Sequence, residues 1–388
     1  MAPRKRTRAL VFRMATALAA LGALALVAEL GIRVAVPADR WLLRDSTRDM
    51  RIDPTLGWVR APNLDSSRLD SISNEVIRTR TNADGLMPAD AVPTRRPGVT
   101  RILLVGDSTI AGSGVREEER IHVQLRERLG ALGIDAEVIN SGTEGWATDQ
   151  AMLRMGQLID RYAPDGILHC VCANDFAGIK STSFNGINKP TFELDEQGRL
   201  VAVPFEPTDE LQAYVDRDSL VTRLVQRSAT YRVLRPNIIK LRARLAGWEE
   251  RNLLGLTDEW YHAPEELERV DWALFSALIA RMRDIAAERQ VGFAVYAHPA
   301  VGAVWDPVMD RLVAHLGGRA YDRFAVEDRI AREVESVGVS FIPIAAYFVE
   351  RQERGPFHLL PRDPHCNAAG YRLQAEVLAA HVASDLAP

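Results

Sequence analysis

The chain is poor in cysteine and carries no excess of positive charge. Its 388 residues include three cysteines, Cys170, Cys172 and Cys366, and none of them lies in a CxxC pair or a Cys/His array of the kind that holds structural zinc. The formal net charge is -4 and the pI is near 6.1, so the basic footprint of a nucleic-acid-binding protein is missing. We therefore expect no nucleic-acid partner and no metal site.

Long apolar runs are also scarce, and the one that stands out lies at the N-terminus. It follows four cations and, apart from Arg13, continues to Ala28, close to the length that spans a bilayer. We predict that residues 1–37 form a cytoplasmic basic tip and an uncleaved transmembrane signal-anchor in the inner (cell) membrane, with the rest extracytoplasmic. Cleavage after the A-x-A pattern of Ala23 and Ala25 is the alternative.

The organisation of the chain changes near Arg101. Residues 38–100 are polar and are interpreted as a juxtamembrane segment packed on the catalytic domain, 101–388. Beyond Arg101, short β-rich runs alternate with helical stretches, which predicts a parallel sheet with helices on both faces. The predicted strands are 101–106, 136–140, 166–172, 291–297 and 339–344. Helices are predicted around 117–132, from about 148, at about 264–289, between 306 and 337 and after Asn367.

The alternation is interrupted between residues 176 and 262. Residues 191–203 predict a hairpin that turns near Gly198, and about 208–254 reads as helical and rich in both charge signs. We interpret 176–262 as an insertion in a single α/β domain. A separate domain is the alternative.

Three predicted strands run directly into loops of small and polar residues. These loops are GDS (106–108), NSGTEG (140–145) and CAND (172–175). The carboxyl ends of parallel strands share one edge of the sheet, so the three loops should meet at a ligand crevice. Each loop alone is a weak signal, because strand-to-helix turns favour Gly, Ser, Asn and Asp for backbone reasons.

Ser108 is the candidate nucleophile at this edge. A serine hydroxyl needs a base, usually an imidazole, and the tetrahedral intermediate needs hydrogen-bond donors. The Ser108 N–H, the Gly145 N–H and the Asn174 amide are the candidate oxyanion donors. The alternatives are a helix N-cap for Ser108 and ordinary turn roles for Gly145 and Asn174.

Four motifs in this order resemble the SGNH (GDSL-type) hydrolase superfamily: RILLVGDSTIAGSGV, VINSGTEGWATDQ, CANDF and DPHCNAAGYRLQAE. The anchor ending ELGIRV, together with DPTLGW (53–58) and TNADGL (81–86), is similar to its membrane-anchored, exported members. The resemblance implies a flavodoxin-like three-layer α/β/α sandwich. It also implies that Ser108 is the nucleophile, that Gly145 and Asn174 help to form the oxyanion hole, and that Asp363 and His365 complete the triad.

Two positions depart from the family pattern. Cys172 replaces the glycine of the third motif, and the last motif has the spacing D-x-H instead of D-x-x-H. Asp363 precedes Pro364 and is therefore pushed towards an extended conformation, in which residues i and i+2 point to the same side. We expect the Asp363 carboxylate to lie alongside the His365 imidazole despite the short spacing.

Other polar residues leave alternatives open. His298 follows a predicted strand and is a second base, a pocket residue or, the interpretation we favour, a structural histidine. Cys366 is a possible thiol nucleophile, a metal ligand with Asp363 and His365, or a disulfide partner of Cys170 or Cys172. Trp146 is either a sugar-stacking platform or a residue that packs its loop against the sheet.

These observations predict an exported serine esterase or O-acyltransferase that acts on acyl esters, by family resemblance acetyl esters of an extracytoplasmic glycan. Water as second substrate gives hydrolysis, and a sugar hydroxyl gives acyl transfer. The chemistry requires no metal or organic cofactor. Two alternatives remain: a lipid-directed esterase or thioesterase, and a non-catalytic envelope scaffold or glycan-binding protein that retains the fold.

Overall fold

The computed structural model describes most of the chain outside the insertion. The described residues are 3–36, 49–69, 75–208, 228–234, 241, 267–315, 322–359 and 363–386. Most of the predicted helical stretch at about 208–254 lies outside them, as does the segment that joins the N-terminal helix to residue 49.

Short strands and helices alternate along the described chain. The strands are β1 Met50–Asp53, β2 Gly57–Arg60, β3 Asp65–Leu69, β4 Val76–Arg80, β5 Thr100–Val105, β6 Ala136–Asn140, β7 Gly166–Val171, β8 Ser183–Phe184, β9 Ile187–Asn188, β10 Thr191–Leu194, β11 Leu200–Val203, β12 Gly292–Ala297 and β13 Ser340–Ile342. The helices are α1 Pro3–Ala35, α2 Ser108–Ala111, α3 Ile121–Ala131, α4 Thr148–Tyr162, α5 Asn174–Gly178, α6 Trp272–Ala287, α7 Val301–Val304, α8 Asp306–His315, α9 Ala325–Ser336, α10 Ala345–Val349 and α11 Ala368–His381.

Five of these strands form a parallel sheet in the order β13-β12-β7-β5-β6. Numbered along the chain and read from the β6 edge, this order is 2-1-3-4-5, which is the flavodoxin-like arrangement. The predicted fold class is therefore confirmed. The order reverses between β5 and β7, so the ligand crevice is expected beyond the carboxyl ends of these two strands.

Helices cover both faces of the sheet and give three layers. Side chains alternate along β5, so Leu103 and Val105 face one hydrophobic cluster while Ile102 and Leu104 face the other. The first cluster is completed by α4, α6 and α9, and the second by α3 and α11. The strands carry near-continuous apolar runs because both of their faces are buried.

The five strands predicted for the sheet are confirmed, while the ends of some predicted helices differ from the structure. Residues 191–203 form the predicted hairpin of β10 and β11. The predicted helix near 117–132 is instead a 3-10 turn at Glu117–Glu119 followed by α3. The helix predicted over 264–289 has an N-cap at Asp271, whose side chain accepts a hydrogen bond from Leu274 N–H at 3.1 Å.

Helix α1 contains the apolar run. Its segment Phe12–Ala35, with a mean hydropathy of 2.0, is long and apolar enough to cross a membrane by length and composition, a test that a signal sequence also passes. Near its end, the Glu29 carboxylate accepts hydrogen bonds from the hydroxyl of Ser228 and the N–H groups of Ala229 and Thr230. The helix therefore contacts the described part of the predicted insertion.

The two hairpins that precede the sheet pack on its loops. Trp58 Nε1 donates to the Glu144 carbonyl at 2.8 Å, and Arg60 forms an ion pair with the Glu144 carboxylate at 2.6 Å. Trp146 Nε1 donates to the Trp58 carbonyl at 2.9 Å, and Trp146 is only 1% exposed. The sugar-platform interpretation of Trp146 is therefore wrong, since its ring packs the loop into the protein. The division of the chain into segments stays a prediction.

Candidate active site

Ser108 opens α2 directly after β5, and Asn174 opens α5 directly after β7. The two strands are neighbours at the point where strand order reverses, so both helix starts lie on the same rim. The local sequence explains the sharp turn after β5, because Asp107 caps the short helix. Its Oδ1 accepts from the backbone N–H and the hydroxyl of Thr109, at 2.8 and 2.6 Å.

The N-cap role considered for Ser108 therefore belongs to Asp107, and that alternative is wrong. Ser108 occupies the first helical position, and its Oγ lies 2.6 Å from His365 Nε2. This distance is within reach for a proton transfer between a hydroxyl and an imidazole. The Asp107 carboxylate is a weaker neighbour, at 3.4 Å from Ser108 Oγ.

Asp363 lies on the far side of the His365 ring. Its Oδ1 contacts His365 Nδ1 and also accepts a hydrogen bond from the His365 backbone N–H at 2.8 Å. Pro364 between them favours the extended backbone that points the two side chains the same way. Despite the D-x-H spacing, the imidazole of His365 therefore contacts the Asp363 carboxylate through one ring nitrogen and the Ser108 hydroxyl through the other.

Charge sets the protonation behaviour of this pair. Burial alone would lower the pKa of His365, but the hydrogen bond and charge of Asp363, with the charges of Asp107 and Glu144, outweigh burial and raise that pKa above its ordinary value of 6.5. Burial pushes the pKa of Asp363 upward, and its hydrogen bond and attraction to His365 bring it below its ordinary value. Each shift therefore stabilises the charged form of its group in the presence of the other.

Asn174 faces the same cavity as Ser108 and His365, a solvent-open space of about 450 Å³. One of its amide N–H groups donates to Asp107 Oδ2 at 3.0 Å, which holds the side chain beside the nucleophile.

Cys172 replaces the glycine of the third motif, and the turn after β7 is still closed by hydrogen bonds. Cys172 N–H donates to Asp175 Oδ2 at 2.7 Å, and Asp175 Oδ1 accepts from the Thr148 hydroxyl at 2.9 Å.

Gly145 lies at the turn after β6 with a φ of +74°. A Cβ there would come within 2.3 Å of the Phe184 ring, so both the conformation and the close packing require glycine. The structure brings Ser108, Asn174, Asp363 and His365 together. Gly145 is outside the set of described residues that line the cavity.

The sequence reasoning missed one functional neighbour, Asp107, and named another, His298, without its contacts. Asp107 connects Ser108 and Asn174, and the GDS motif itself was the signal that could have identified it. His298 is buried, and its Nε2 lies 3.1 Å from the Pro364 carbonyl, between the two C-terminal triad candidates. His298 is thus a structural neighbour of the loop, as favoured above, and it also lines the cavity.

The cysteines take no part in the arrangement of hydroxyl, imidazole and carboxylate. All three are buried and free, so no disulfide joins Cys366 to Cys170 or Cys172. Cys366 does not join Asp363 and His365 in a ligand set either. Among the described residues, the group of donors close enough to hold a metal ion is His298, His358 and Cys366, whose ligand atoms lie within 4.8 Å of one another.

Comparison with known proteins gives one family match. Residues 104–373 match the model of the GDSL-like lipase/acylhydrolase family, which spans most of the chain and all four motifs. None of the curated proteins matches the chain.

Similar solved structures are distant. An acetyl xylan esterase, AlAXEase, has 14% identity and a TM-score of 0.37, over 73% of this chain and 99% of its own. A lipase/acylhydrolase from Enterococcus faecalis has 14% identity and a TM-score of 0.36, over 73% and 95%. TesA has 11% identity and a TM-score of 0.37, over 73% and 98%. The family assignment rests on the match of residues 104–373.

Proposed function

Because this chain belongs to the GDSL-like lipase/acylhydrolase family and is a serine hydrolase of the SGNH type, we propose that Ser108, His365 and Asp363 form its catalytic triad. The observation that carries this proposal is the 2.6 Å contact between His365 Nε2 and Ser108 Oγ, with Asp363 on the opposite ring nitrogen. The same three roles are known on unrelated folds and depend on geometry alone.

In the proposed reaction Ser108 Oγ attacks the ester carbonyl while His365 Nε2 takes the hydroxyl proton. Asp363 stabilises the imidazolium and holds its tautomer, and His365 then returns the proton to the leaving alcohol. The Asn174 amide has two N–H groups, one committed to Asp107 and one available to the oxyanion. The N–H groups of Ser108 and Gly145 complete the proposed oxyanion hole.

We propose a short acyl group, acetyl above all, as the substrate. The residues at the cavity surface are small or polar, and among the described ones no large aliphatic side chain lines it. A long acyl chain would need an apolar groove, since ligand pockets bury most of an apolar ligand against apolar side chains. An O-acetyl ester on an extracytoplasmic glycan fits this cavity and an exported, membrane-anchored protein. Water or a sugar hydroxyl then accepts the acetyl group from Ser108.

The proposed location is the inner membrane, with α1 as a single-pass anchor and the catalytic domain outside the cytoplasm. The apolar segment Phe12–Ala35 and the cations that precede it support this orientation. Protease protection in spheroplasts tests it. External protease should digest the catalytic domain, whereas full protection would contradict the orientation.

Substrate profiling of the full-length protein in detergent tests the acyl group. We expect kcat/KM for p-nitrophenyl acetate to exceed that for the dodecanoate by at least about tenfold, because the described residues that line the cavity offer the added methylenes no large aliphatic side chain. Acetate release from an O-acetylated polysaccharide, with and without an added sugar acceptor, separates hydrolysis from transfer.

Ser108→Ala supplies the background for each substrate. A preference for the dodecanoate or for an acyl thioester would support the lipid-directed alternative and overturn the short-acyl proposal. Absence of turnover on all of these esters would favour a non-catalytic role.

A further inference from the structure

A second cluster of buried side chains lies directly behind the proposed triad. His358 and Cys366 face each other across an antiparallel bridge. The flanking residues make its hydrogen bonds, with Leu359 N–H donating to the His365 carbonyl and Asn367 N–H to the Phe357 carbonyl, each at 2.9 Å. A pair without its own ladder hydrogen bonds has the closer side chains, so the imidazole and the thiol meet.

His298 completes the cluster from the end of β12. Its ring stands edge-on to that of His358, with centroids 5.8 Å apart. One ligand atom from each of His298, His358 and Cys366 lies within 4.8 Å of the other two, and all three residues are at most 2% exposed. Three elements that are distant in sequence therefore bring two imidazoles and one thiol together.

The outer hydrogen bonds orient both imidazoles inward. His298 Nε2 lies 3.1 Å from the Pro364 carbonyl, and His358 Nε2 lies 2.8 Å from the Pro299 carbonyl. A neutral imidazole that donates from Nε2 carries its lone pair on Nδ1. A metal-ligating histidine usually donates its other ring N–H to an outer partner such as a backbone carbonyl, as both of these rings do. His358 Nδ1 is buried and has no hydrogen-bond partner among the described residues.

Burial raises the pKa of the Cys366 thiol, and the hydrogen bond that Gln374 Nε2 donates to its Sγ at 3.1 Å acts in the opposite direction. A metal ion would supply the larger stabilisation of the thiolate. Gly370 leaves room for Cys366, since a Cβ there would lie 2.9 Å from the sulfur. Burial lowers the pKa of His298 to about 4 and that of His358 to about 3, so both rings are neutral and able to act as ligands at neutral pH.

We propose that His298, His358 and Cys366 form a binding site for a divalent cation of the zinc class. Two imidazole nitrogens and one sulfur are ligands that Zn²⁺ prefers, and a water molecule supplies the fourth position. Zinc bond lengths place ligand atoms roughly 3.3–3.6 Å apart, so ligand atoms that now lie within 4.8 Å of one another must approach by up to about 1.5 Å. On binding, the Cys366 S–H bond breaks, a Zn–S bond forms and the proton leaves to solvent.

A bound ion would also stabilise the loop that carries the proposed triad residues Asp363 and His365. His298 contacts the carbonyl of Pro364, the residue between Asp363 and His365. His298 also lines a second cavity, together with Pro299 and Ala300. Metal binding is therefore expected to stabilise the loop without touching the substrate.

Cobalt binding tests the proposal because Co²⁺ reports its ligands by absorption. The full-length protein is stripped with chelator, kept reduced in detergent and titrated with Co²⁺ and then Zn²⁺. We expect one Co²⁺ per chain with thiolate-to-cobalt charge-transfer absorption and visible bands of tetrahedral coordination, both abolished by one equivalent of Zn²⁺. Zinc should also raise the melting temperature.

Cys366→Ser should abolish the charge-transfer band, and His358→Gln should weaken cobalt binding by about 100-fold. Cys170→Ala, which removes another buried thiol, should keep the band. Near-ultraviolet circular dichroism checks the folding of each variant. A reduced wild-type protein without the thiolate band, or a band that survives in Cys366→Ser, overturns the proposal and leaves a thiol–imidazole hydrogen bond in its place.

Discussion

Two groups of histidines lie at the same edge of the sheet, and their pKa values are shifted in opposite directions. His365 is buried beside the Asp363 carboxylate, and its pKa is raised. His298 and His358 are buried against backbone carbonyls, and burial lowers their pKa values. Burial lowers the pKa of all three rings, so it does not separate them. The group on the outer ring nitrogen does: the Asp363 carboxylate outweighs burial at His365, whereas the backbone carbonyls at His298 and His358 do not. The proposed base and the proposed metal ligands differ in this respect.

Removing the proposed base should have the largest effect. His365→Ala leaves Ser108 without a proton acceptor, so kcat for p-nitrophenyl acetate should fall by about 10⁵-fold. His381→Ala is the matched control, because His381 also pairs with a carboxylate, Asp385 at 2.9 Å, while its Nε2 has no hydrogen-bond partner among the described residues. If the two variants had equal activity, the assignment of His365 as the base would be contradicted.

Asp363→Asn should lower kcat by about 10⁴-fold, since the neutral side chain no longer stabilises the imidazolium. The pH profile gives a second readout. A base must be neutral, so wild-type activity should fall as the pH drops through the raised pKa of His365. In Asp363→Asn that limb should move to lower pH, because burial then acts without the compensating charge. Asp385→Asn is the control, and an unmoved acid limb in Asp363→Asn would contradict the assignment.

Asn174→Ala should lower kcat by about 10²–10³-fold with little change in KM, because an oxyanion donor acts mainly in the transition state. Asn188→Ala, which alters an exposed residue of β9, should have no effect. Fluorophosphonate labelling of Asn174→Ala checks that Ser108 and His365 are still in place. A large rise in KM at constant kcat would assign Asn174 to ordinary substrate binding.

The smallest effect is expected at His298, which acts on the loop and not on the substrate. His298→Leu removes the donor to the Pro364 carbonyl, and loss of one such hydrogen bond should reduce kcat by about tenfold or less. His298→Gln, which can still donate, should restore most of the activity. A loss as large as that of His365→Ala would mean that His298 is itself a base.

Much of this site could be predicted from the sequence because parallel strands bring their ends together. Once 101–106, 136–140 and 166–172 were identified as strands, the GDS, NSGTEG and CAND loops had to share a rim. The local geometry of an X-Pro step was enough to align Asp363 with His365. Asn367 likewise caps α11 as an asparagine before a helix should, accepting from the N–H of Ala369 and Gly370.

The remaining features depend on contacts that no local pattern reveals. The bond from Asn174 to Asp107 joins the loops after two strands, and the bridge between His358 and Cys366 depends on the pairing of residues 357–359 with 365–367. His298 meets both only because β12 ends beside them. The N-cap was misassigned for a related reason, since Asp and Ser are equally good caps and only the backbone after β5 separates them.

The central claim is that Ser108 is a nucleophile activated by His365, and the rate of fluorophosphonate labelling as a function of pH tests it most directly. In the full-length protein we predict one adduct, mapped to the peptide that carries Ser108, with a labelling rate that rises to a plateau with a midpoint above pH 6.5. Ser108→Ala should not be labelled, and His365→Ala should be labelled slowly. An adduct on another residue, or labelling that persists in Ser108→Ala, would contradict the account.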